Sequence, residues 1–254
     1  MKINQLITDW PPGVVATQTW LHRHGVGSSL ARKYQQSGWI ERIGHGAWQR
    51  RGDCVDWQGG AFALQQDLPL RVWPGGLTAL ALQGYSHYLP LGKEEISLFA
   101  LPGTRLPGWF AEHDWGLSIR FLAANLFGDL DASAWQTSRP AHRAFPLHIS
   151  SPERAAIELI YGSEDESLFS SVAELFNGLS TLSPKRVQTL LESCGSIRVK
   201  RVFLLLARQS GHAWYSHLDL TRIYLGSGKR QLIPGGALDK QFLITVPEGF
   251  ADAT

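Results

Sequence analysis

The chain has 254 residues, of which 44% are hydrophobic and 18% are charged, with a net charge of +2. This composition excludes a disordered or fibrous protein, and the length suits one large domain or two ordinary ones. No apolar run approaches the roughly 18 residues of a membrane helix, and we expect no signal peptide and no membrane partner. Two distant cysteines, Cys54 and Cys194, predict neither a disulfide framework nor a CxxC metal site and favour a reducing cytoplasm.

The charge is distributed unevenly along the chain. Residues 1–52 carry a net charge of +5, residues 53–182 carry −8 and residues 183–240 carry +7. Basic modules on either side of an acidic middle indicate at least two structural units. Phosphate attracts such modules whatever the base sequence, so nucleic acid is the first partner to test. The alternative is a solvated surface of uneven charge.

Three short helices and a hairpin are predicted in the first fifty residues. The helices are expected at 2–9, 14–24 and 29–37, the last with Ser28 as its N-cap and Gly38 as its end. The hairpin has strands at 39–43 and 47–50, joined by a glycine-bounded turn. Helices followed by a two-stranded hairpin in so short a segment indicate a winged helix-turn-helix.

The rest of the chain mixes helices and strands, which predicts an α+β fold. A larger mixed α/β domain is expected at 53–254, after a DNA-binding domain at 1–52, and could itself divide into 53–150 and 151–254. The predicted helices are 57–68, 76–85, 152–161, 168–177, one beginning after Ser183-Pro184, and 196–210. The predicted strands are 71–73, 95–101, 116–122, 147–149, 221–225, 231–233 and 242–246. The most clearly marked helix start is Ser151-Pro152-Glu153, with a capping hydroxyl, proline at the first position and an acid in the first turn.

The third helix carries the residues best suited to DNA. Leu30 and Tyr34 share one face and are expected to pack on the first two helices. The opposite face carries hydroxyl, amide and cationic side chains, which suit base edges and phosphates. These DNA-binding candidates are Ser28, Ser29, Arg32, Lys33, Gln35 and Gln36. The hairpin adds Arg42, His45 and Arg50 as candidate backbone contacts; an amphipathic helix with a solvated basic face is the alternative.

No catalytic constellation, metal site or cofactor site is expected. The segment Gly226–Arg230 resembles a phosphate loop, but it lacks the first Walker glycine and the Ser or Thr after Lys229. The acids Glu164-Asp165-Glu166 are adjacent in a predicted loop, where side chains seldom converge on one ion. No HExxH, GxSxG or paired Cys/His motif occurs.

Motifs along nearly the whole chain carry a resemblance to a known family. They are Ser37–Trp48, Gly75–Leu80, Gly84–Leu89, Leu106–Phe110, Ser150–Ala155, Leu182–Arg186, Val199–Phe203, Leu225–Arg230 and Ile244–Pro247. In these segments the chain resembles AbiE-type antitoxins of type IV toxin–antitoxin systems. The resemblance implies an N-terminal winged helix-turn-helix that represses its own operon at inverted repeats. It also implies a C-terminal domain that counteracts a nucleotidyltransferase-like toxin without a stable complex, and no enzymatic residues.

A second basic surface is expected in the C-terminal part, because isolated charges are costly to bury. Its residues are Arg198, Lys200, Arg201, Lys229 and Arg230, with Arg198 and Arg201 on one helix face. This antitoxin surface is expected to meet DNA, RNA or a nucleotide, with a solvated basic face as the alternative. Two other functions stay open: a regulator whose larger domain senses a small molecule, and a nucleic-acid enzyme. The scarcity of acids in residues 183–240 argues against the enzyme, because such an enzyme would need clustered carboxylates to bind Mg²⁺.

Overall fold

The computed structural model describes residues 3–68, 71–85, 95–128, 134–139, 145–248 and 250, without the side chain of Glu166. Residues 86–89 of the family motif at Gly84–Leu89 therefore lie outside the described residues. The fold is α+β, as predicted. Within the described ranges, no helix combines the length and hydropathy of a membrane span.

The chain forms two compact units. The first consists of Met1–Trp73, Lys93–Ala123 and Thr137–Ile149, and the second of Pro74–Gly92, Ala124–Gln136 and Ser150–Thr254. These boundaries differ from the predicted one near residue 52. The division follows contacts between segments that are distant in sequence, which a change in composition does not reveal.

The first unit begins with the predicted winged helix-turn-helix. Its elements are α1 (Ile3–Asp9), β1 (Ala16–Thr17), α2 (Gln18–Arg23), α3 (Ser28–Gln36), β2 (Ile40–Gly44) and β3 (Ala47–Arg50). The prediction of one helix over 14–24 is wrong at its start. Residues Ala16 and Thr17 instead pair antiparallel with Trp48 and Ala47, which makes the wing a three-stranded sheet of order β1-β3-β2. Two residues of strand are too short to give a period-2 pattern in the sequence.

The helix that follows the wing belongs to the same unit. It is α4 (Trp57–Asp67), and a Cβ on its Gly59 would lie 1.8 Å from the carbonyl oxygen of Gly13. Only glycine permits so close a backbone approach. The Gly13 amide also donates to Asp53, at 2.8 Å. Residues on both sides of position 52 are therefore bound to the same loop, which explains why the unit does not end there.

A three-stranded sheet completes the first unit. Its elements are β4 (Val72–Pro74), β5 (Glu95–Ala100), α6 (Gly108–Ala111) and β6 (Ser118–Ala123), with the strands in the order β4-β5-β6. Strands β5 and β6 run parallel, with Glu95 opposite Ser118. Two further strands, β7 (Trp135–Ser138) and β8 (Leu147–Ser150), pair with each other.

The second unit is mostly helical. Its helices are α5 (Gly76–Leu82), α7 (Pro152–Gly162), α8 (Asp165–Ser167), a π-helix (Leu168–Val172), α9 (Ala173–Asn177), α10 (Pro184–Ser193) and α11 (Ile197–Gln209). The predicted start of α7 is confirmed, because the Ser151 hydroxyl accepts the amide of Arg154 and Pro152 stands at the first position. Helix α7 also holds the fully buried Glu158, which accepts hydrogen bonds from Arg154, Ser150 and the amide of Gly76.

The C-terminal segment differs from its predicted strands. Residues Ala213–His217 and Leu220–Arg222 form 3-10 helices, so the strand predicted at 221–225 is wrong. The strands are β9 (Arg230–Gln231), β10 (Ala237–Asp239) and β11 (Ile244–Val246). Strand β11 pairs antiparallel with β10 and parallel with β9. The Asp219 carboxylate accepts the amide and hydroxyl of Thr221, which stabilises a turn where β-branched residues suggested a strand.

Candidate nucleic-acid interface

A glycine turn joins α2 to α3, and a buried carboxylate ties α2 to α4. Gly25 has a φ of +71°, in the region that favours glycine, and Val26 after it is fully buried. The hydroxyl of Thr17 caps α2 by accepting the amide of Trp20 and donates to Asp67 of α4 at 3.0 Å. Burial raises the pKa of Asp67, while Thr17 and an ion pair with Arg23 of α2 oppose that rise.

All six candidate residues of α3 are exposed on one side of the helix. On the other side Ala31 is buried, and the predicted packing residues Leu30 and Tyr34 are half-buried. The prediction of Ser28 as the N-cap is wrong by one residue: the cap is Gly27, and Ser28 is the first helical residue. The shift places the Ser28 hydroxyl on the helix itself, at the end where backbone amides point outward. DNA contact by these residues stays a prediction.

Two cations, Arg32 and Lys33, lie on the exposed face of α3. Within the described part of the chain, neither Arg32 nor Lys33 takes part in an ion pair, and both are exposed. Helix α3 has no acid in its first turn. Gln35 accepts a long hydrogen bond, 3.4 Å, from the Trp48 indole of β3, which ties the helix to the wing. This exposed face of α3, beside the wing, therefore carries positive charge that can bind the phosphates of nucleic acid.

The wing presents two of its three predicted residues. Arg42 and His45 are exposed, and the Arg42 guanidinium donates to the carbonyl of Gly44 at the tip. Arg50 is different, because its guanidinium donates twice to Asp53, at 3.1 and 3.2 Å, and only 20% of its side chain is exposed. Since Asp53 also accepts the amide of Gly13, Arg50 stabilises the end of β3. Contact between Arg50 and the DNA backbone stays a prediction, and it would require the guanidinium to give up or share its pairing with Asp53.

Two acids beside the wing tip were missed in the sequence. A cavity of about 500 Å³ is lined by Ile43, Gly44, His45, Pro107, Gly108, Trp109, Glu112, His113 and Asp114. Glu112 and Asp114 are exposed, and a Cβ on Gly44 would lie 2.7 Å from that of Trp109, so the wing packs closely on α6 beside its tip. Their sequence distance from the wing hides this proximity. The two carboxylates place negative charge near a tip that was expected to meet phosphate.

Most residues of the second predicted basic surface are not exposed to solvent. Lys200 and Arg201 are 3% and 1% exposed, so the expectation that both point to solvent is wrong. Arg198 is half-buried and donates to Asp165 and to the carbonyls of Ile160 and Ser163. Lys229 and Arg230 are exposed. Nine of the thirteen residues of α11 are buried, and cations in a helix buried nearly all round are buried with it.

The Arg201 guanidinium is stabilised by backbone carbonyls. Its Nε donates to Leu225 at 2.8 Å, Nη1 to Gly228 at 2.8 Å and to Leu243 at 3.1 Å, and Nη2 to Gly226 at 3.4 Å. Burial and the positive charge of Arg230 lower the pKa of Arg201. A buried charge is tolerated when its donors are hydrogen-bonded, and four of the five guanidinium N–H groups of Arg201 donate to these carbonyls. Arg201 therefore holds the turn that carries Lys229 and Arg230.

The remaining sequence motifs form no metal site among the residues that are described. No group of three or more His, Cys, Asp or Glu side chains there lies close enough to hold a metal ion. Asp165, predicted in a solvated loop, lies in the short helix α8 and pairs with Arg198. The segment after Lys229 is strand β9, where a Walker loop would open a helix.

Comparisons with known proteins give a family and a fold. A family model described as "Transcriptional regulator, AbiEi antitoxin N-terminal domain" matches residues 1–91, and one described as "Transcriptional regulator, AbiEi antitoxin, Type IV TA system" matches residues 93–247. Among solved structures, the chain is similar to the RV2827C protein from Mycobacterium tuberculosis, with a TM-score of 0.59 and 17% identity over 95% of this chain and 88% of that chain. That likeness shows the fold alone. No curated protein matches.

Proposed function

The chain belongs to the family of AbiEi antitoxins, transcriptional regulators of type IV toxin–antitoxin systems, and from this premise we propose that it represses its own operon at inverted repeats and counteracts a nucleotidyltransferase-like toxin. The family description supports DNA binding and an antitoxin role. The operator, the toxin and the residues that serve each activity are parts of the proposal. We place the protein in the cytoplasm, because a repressor must reach its operon there. The proposal does not require a stable complex with the toxin.

The observation that carries the repressor role is the uncompensated basic face of α3 beside the wing. Side chains at the start and middle of a recognition helix reach base edges in the major groove of duplex DNA. We assign Arg32 to a guanine, Gln35 and Gln36 to base edges or phosphates, and Ser28, Ser29 and Lys33 to phosphates. Arg42 and His45 of the wing contact the backbone. Inverted repeats imply that two copies of the chain bind one operator.

The antitoxin role is assigned to the exposed cations of the second unit. Lys229 and Arg230 keep this assignment, whereas Arg201 acts beneath them by holding their turn, and Lys200 and Arg198 contribute little charge to solvent. The role proposed for this surface is binding. Toxin neutralisation should therefore depend on Lys229 and Arg230 and not on α3.

Two assays separate the proposed activities. The first titrates duplexes from the chain's own upstream region with the full chain and scores repression of a reporter. The second co-expresses the cognate toxin with the full chain and with a Lys229→Glu and Arg230→Glu double variant that melts at the parent temperature. We expect the double variant to repress and to lose neutralisation. Neutralisation at the parent level would contradict the assignment of this surface.

A small-molecule sensor remains the second candidate, because the second unit has a groove of suitable size. The groove, of about 690 Å³, is lined by Phe169, Ser170, Ala173, Glu174, Asn177, Leu206, Arg208, Gln209, Ser210 and Phe250. Ligand pockets are typically about 300–1,000 Å³ and mostly apolar with a few polar groups. If the full chain fails to neutralise any adjacent toxin, yet Glu174→Leu alters repression, the sensor is favoured.

A further inference from the structure

An exposed aromatic ring adjoins the basic turn of the second unit. Tyr224 is 74% exposed, more than the other exposed large hydrophobic residues of the described chain, Trp39, Leu101 and Tyr161. The residue before it, Ile223, is 3% exposed and anchors the segment. The Lys200 ammonium lies 5.8 Å from the Tyr224 ring centre. A ring so exposed is available to stack with a planar group.

Polar and cationic residues follow the ring within one short segment. Ser227, Lys229, Arg230 and Gln231 are all exposed. Neither cation forms an ion pair with a carboxylate in the part of the chain that the structure describes. Of the nearest acids along the chain, Asp239 is fully buried and paired with Arg208, and the exposed Asp219 accepts the amide and hydroxyl of Thr221. The segment therefore presents positive charge, hydrogen-bonding groups and one aromatic face together.

The backbone of this segment is fixed from beneath. One guanidinium, that of Arg201, binds the carbonyls of Leu225 and Gly228, the neighbours of Tyr224 and Lys229 in the chain, both at 2.8 Å. The ring and the first cation therefore project from backbone anchored on a single side chain. The Arg230 amide donates to the carbonyl of Leu243 at 2.8 Å, and β9 pairs with β11. A segment held in this way loses little conformational entropy when a ligand binds.

We propose that Tyr224, Ser227, Lys229, Arg230 and Gln231, here named the Tyr224 surface, bind single-stranded nucleic acid through a base stacked on Tyr224 and phosphates paired with Lys229 and Arg230. Aromatic rings interleaved with cations are how proteins bind unpaired strands, because every base has a face that stacks. A duplex does not fit, since its bases already stack on one another. The proposal extends the antitoxin role proposed above and rests on that role for its biological purpose. The binding assay that tests it does not require the toxin.

The test is a binding titration with the full chain carrying Arg32→Ala and Lys33→Ala, so that α3 contributes little. The probes are a fluorescent 12-nucleotide RNA, the DNA of the same sequence and the DNA duplex. Tyr224→Ala should weaken single-strand binding about 5- to 150-fold, the cost of one lost base stack. Tyr224→Phe, which keeps the ring, should bind within about twofold of its parent, and so should Tyr161→Ala, which removes another exposed tyrosine of the second unit.

The cations are tested by salt dependence. Lys229→Ala with Arg230→Ala should reduce the slope of log K against log salt for single strands by about 1.4, at roughly 0.7 for each phosphate contact. The matched control is Lys185→Ala with Lys240→Ala, two exposed lysines of the same unit. Tighter binding of either the RNA or the DNA strand would support the proposal and would show which of the two nucleic acids is the ligand.

Three outcomes overturn the proposal: no detectable single-strand binding, single-strand affinity within twofold of the parent in Tyr224→Ala, or an equal loss in the lysine control. Failure here differs from failure of the proposed function. If Tyr224→Ala loses the oligonucleotide but neutralises the toxin, the binding site stands and its antitoxin role is contradicted. If no oligonucleotide binds while Lys229→Glu with Arg230→Glu loses neutralisation, the antitoxin surface stands and the single-strand proposal is wrong.

Discussion

Helices α3 and α11 both carry adjacent cations, but the cations of α3 are exposed and those of α11 are buried. In α3, Arg32 and Lys33 are exposed and lie beside polar neighbours. In α11, Lys200 and Arg201 are 3% and 1% exposed and lie beside a run of buried Val, Phe and Leu. The difference shows that a positive net charge in a segment of sequence does not mean that its cations form an exposed basic surface. The apolar residues around a cation decide whether it meets solvent or protein carbonyls.

The largest expected effect is the loss of stability on removing the buried guanidinium. Arg201→Met leaves the carbonyls of the turn without donors, so the free energy of unfolding should fall by about 3–5 kcal/mol. Arg32→Met, at the exposed position, should change it by less than about 0.5 kcal/mol. Urea denaturation of the two variants measures both values. Similar losses in the two variants would break the comparison between the helices.

The second buried cation of α11 should behave in the opposite way. Burial lowers the pKa of Lys200, which means that folding disfavours its charged form. Lys200→Met should therefore leave the free energy of unfolding unchanged or raise it by about 1 kcal/mol at neutral pH. Because the folded pKa lies below the unfolded value, the parent gains stability as pH rises through that lowered pKa. The Met variant should lack this rise, which denaturation between pH 7 and 10 measures. A stability loss like that of Arg201→Met would contradict the distinction.

The wing allows a similar contrast between a free and a paired arginine. Arg42→Ala should lower the slope of log K against log salt on duplex DNA by about 0.9, the value for one phosphate contact. Arg50→Ala should leave the slope unchanged, because its guanidinium is bound to Asp53. Titrations of the promoter duplex at several salt concentrations measure both slopes. An equal decrease in both would mean that Arg50 leaves Asp53 to bind DNA.

The smallest effect concerns the acids beside the wing tip. If the tip lies against DNA, Glu112→Gln with Asp114→Asn removes repulsion, and promoter and shuffled duplexes should both bind about two- to fivefold tighter at low salt. Glu164→Gln with Glu248→Gln, two exposed acids of the other unit, is the control. Weaker binding by the double variant would show that these carboxylates assist DNA binding and that the wing is oriented otherwise.

The parts of the fold that could be predicted are those specified by neighbouring residues. The exposed face of α3 follows from its 3.6-residue period, and the start of α7 follows from three adjacent residues, Ser151, Pro152 and Glu153. Strand β1 could not be predicted, since its partner Trp48 lies some thirty residues further on. The burial of Arg201 was also hidden, because its carbonyl partners lie 24 to 42 residues away. The run of apolar residues after it was the available signal.

The central claim is that α3 reads DNA sequence through Arg32. The most direct measurement is the affinity of the full chain for its promoter duplex and for a shuffled duplex at one salt concentration. Arg32→Ala should weaken promoter binding by about 1–3 kcal/mol and reduce the affinity ratio between the two duplexes. Lys33→Ala should weaken both alike, because a phosphate contact carries no sequence information. Promoter binding by Arg32→Ala as tight as that of the parent would contradict the account.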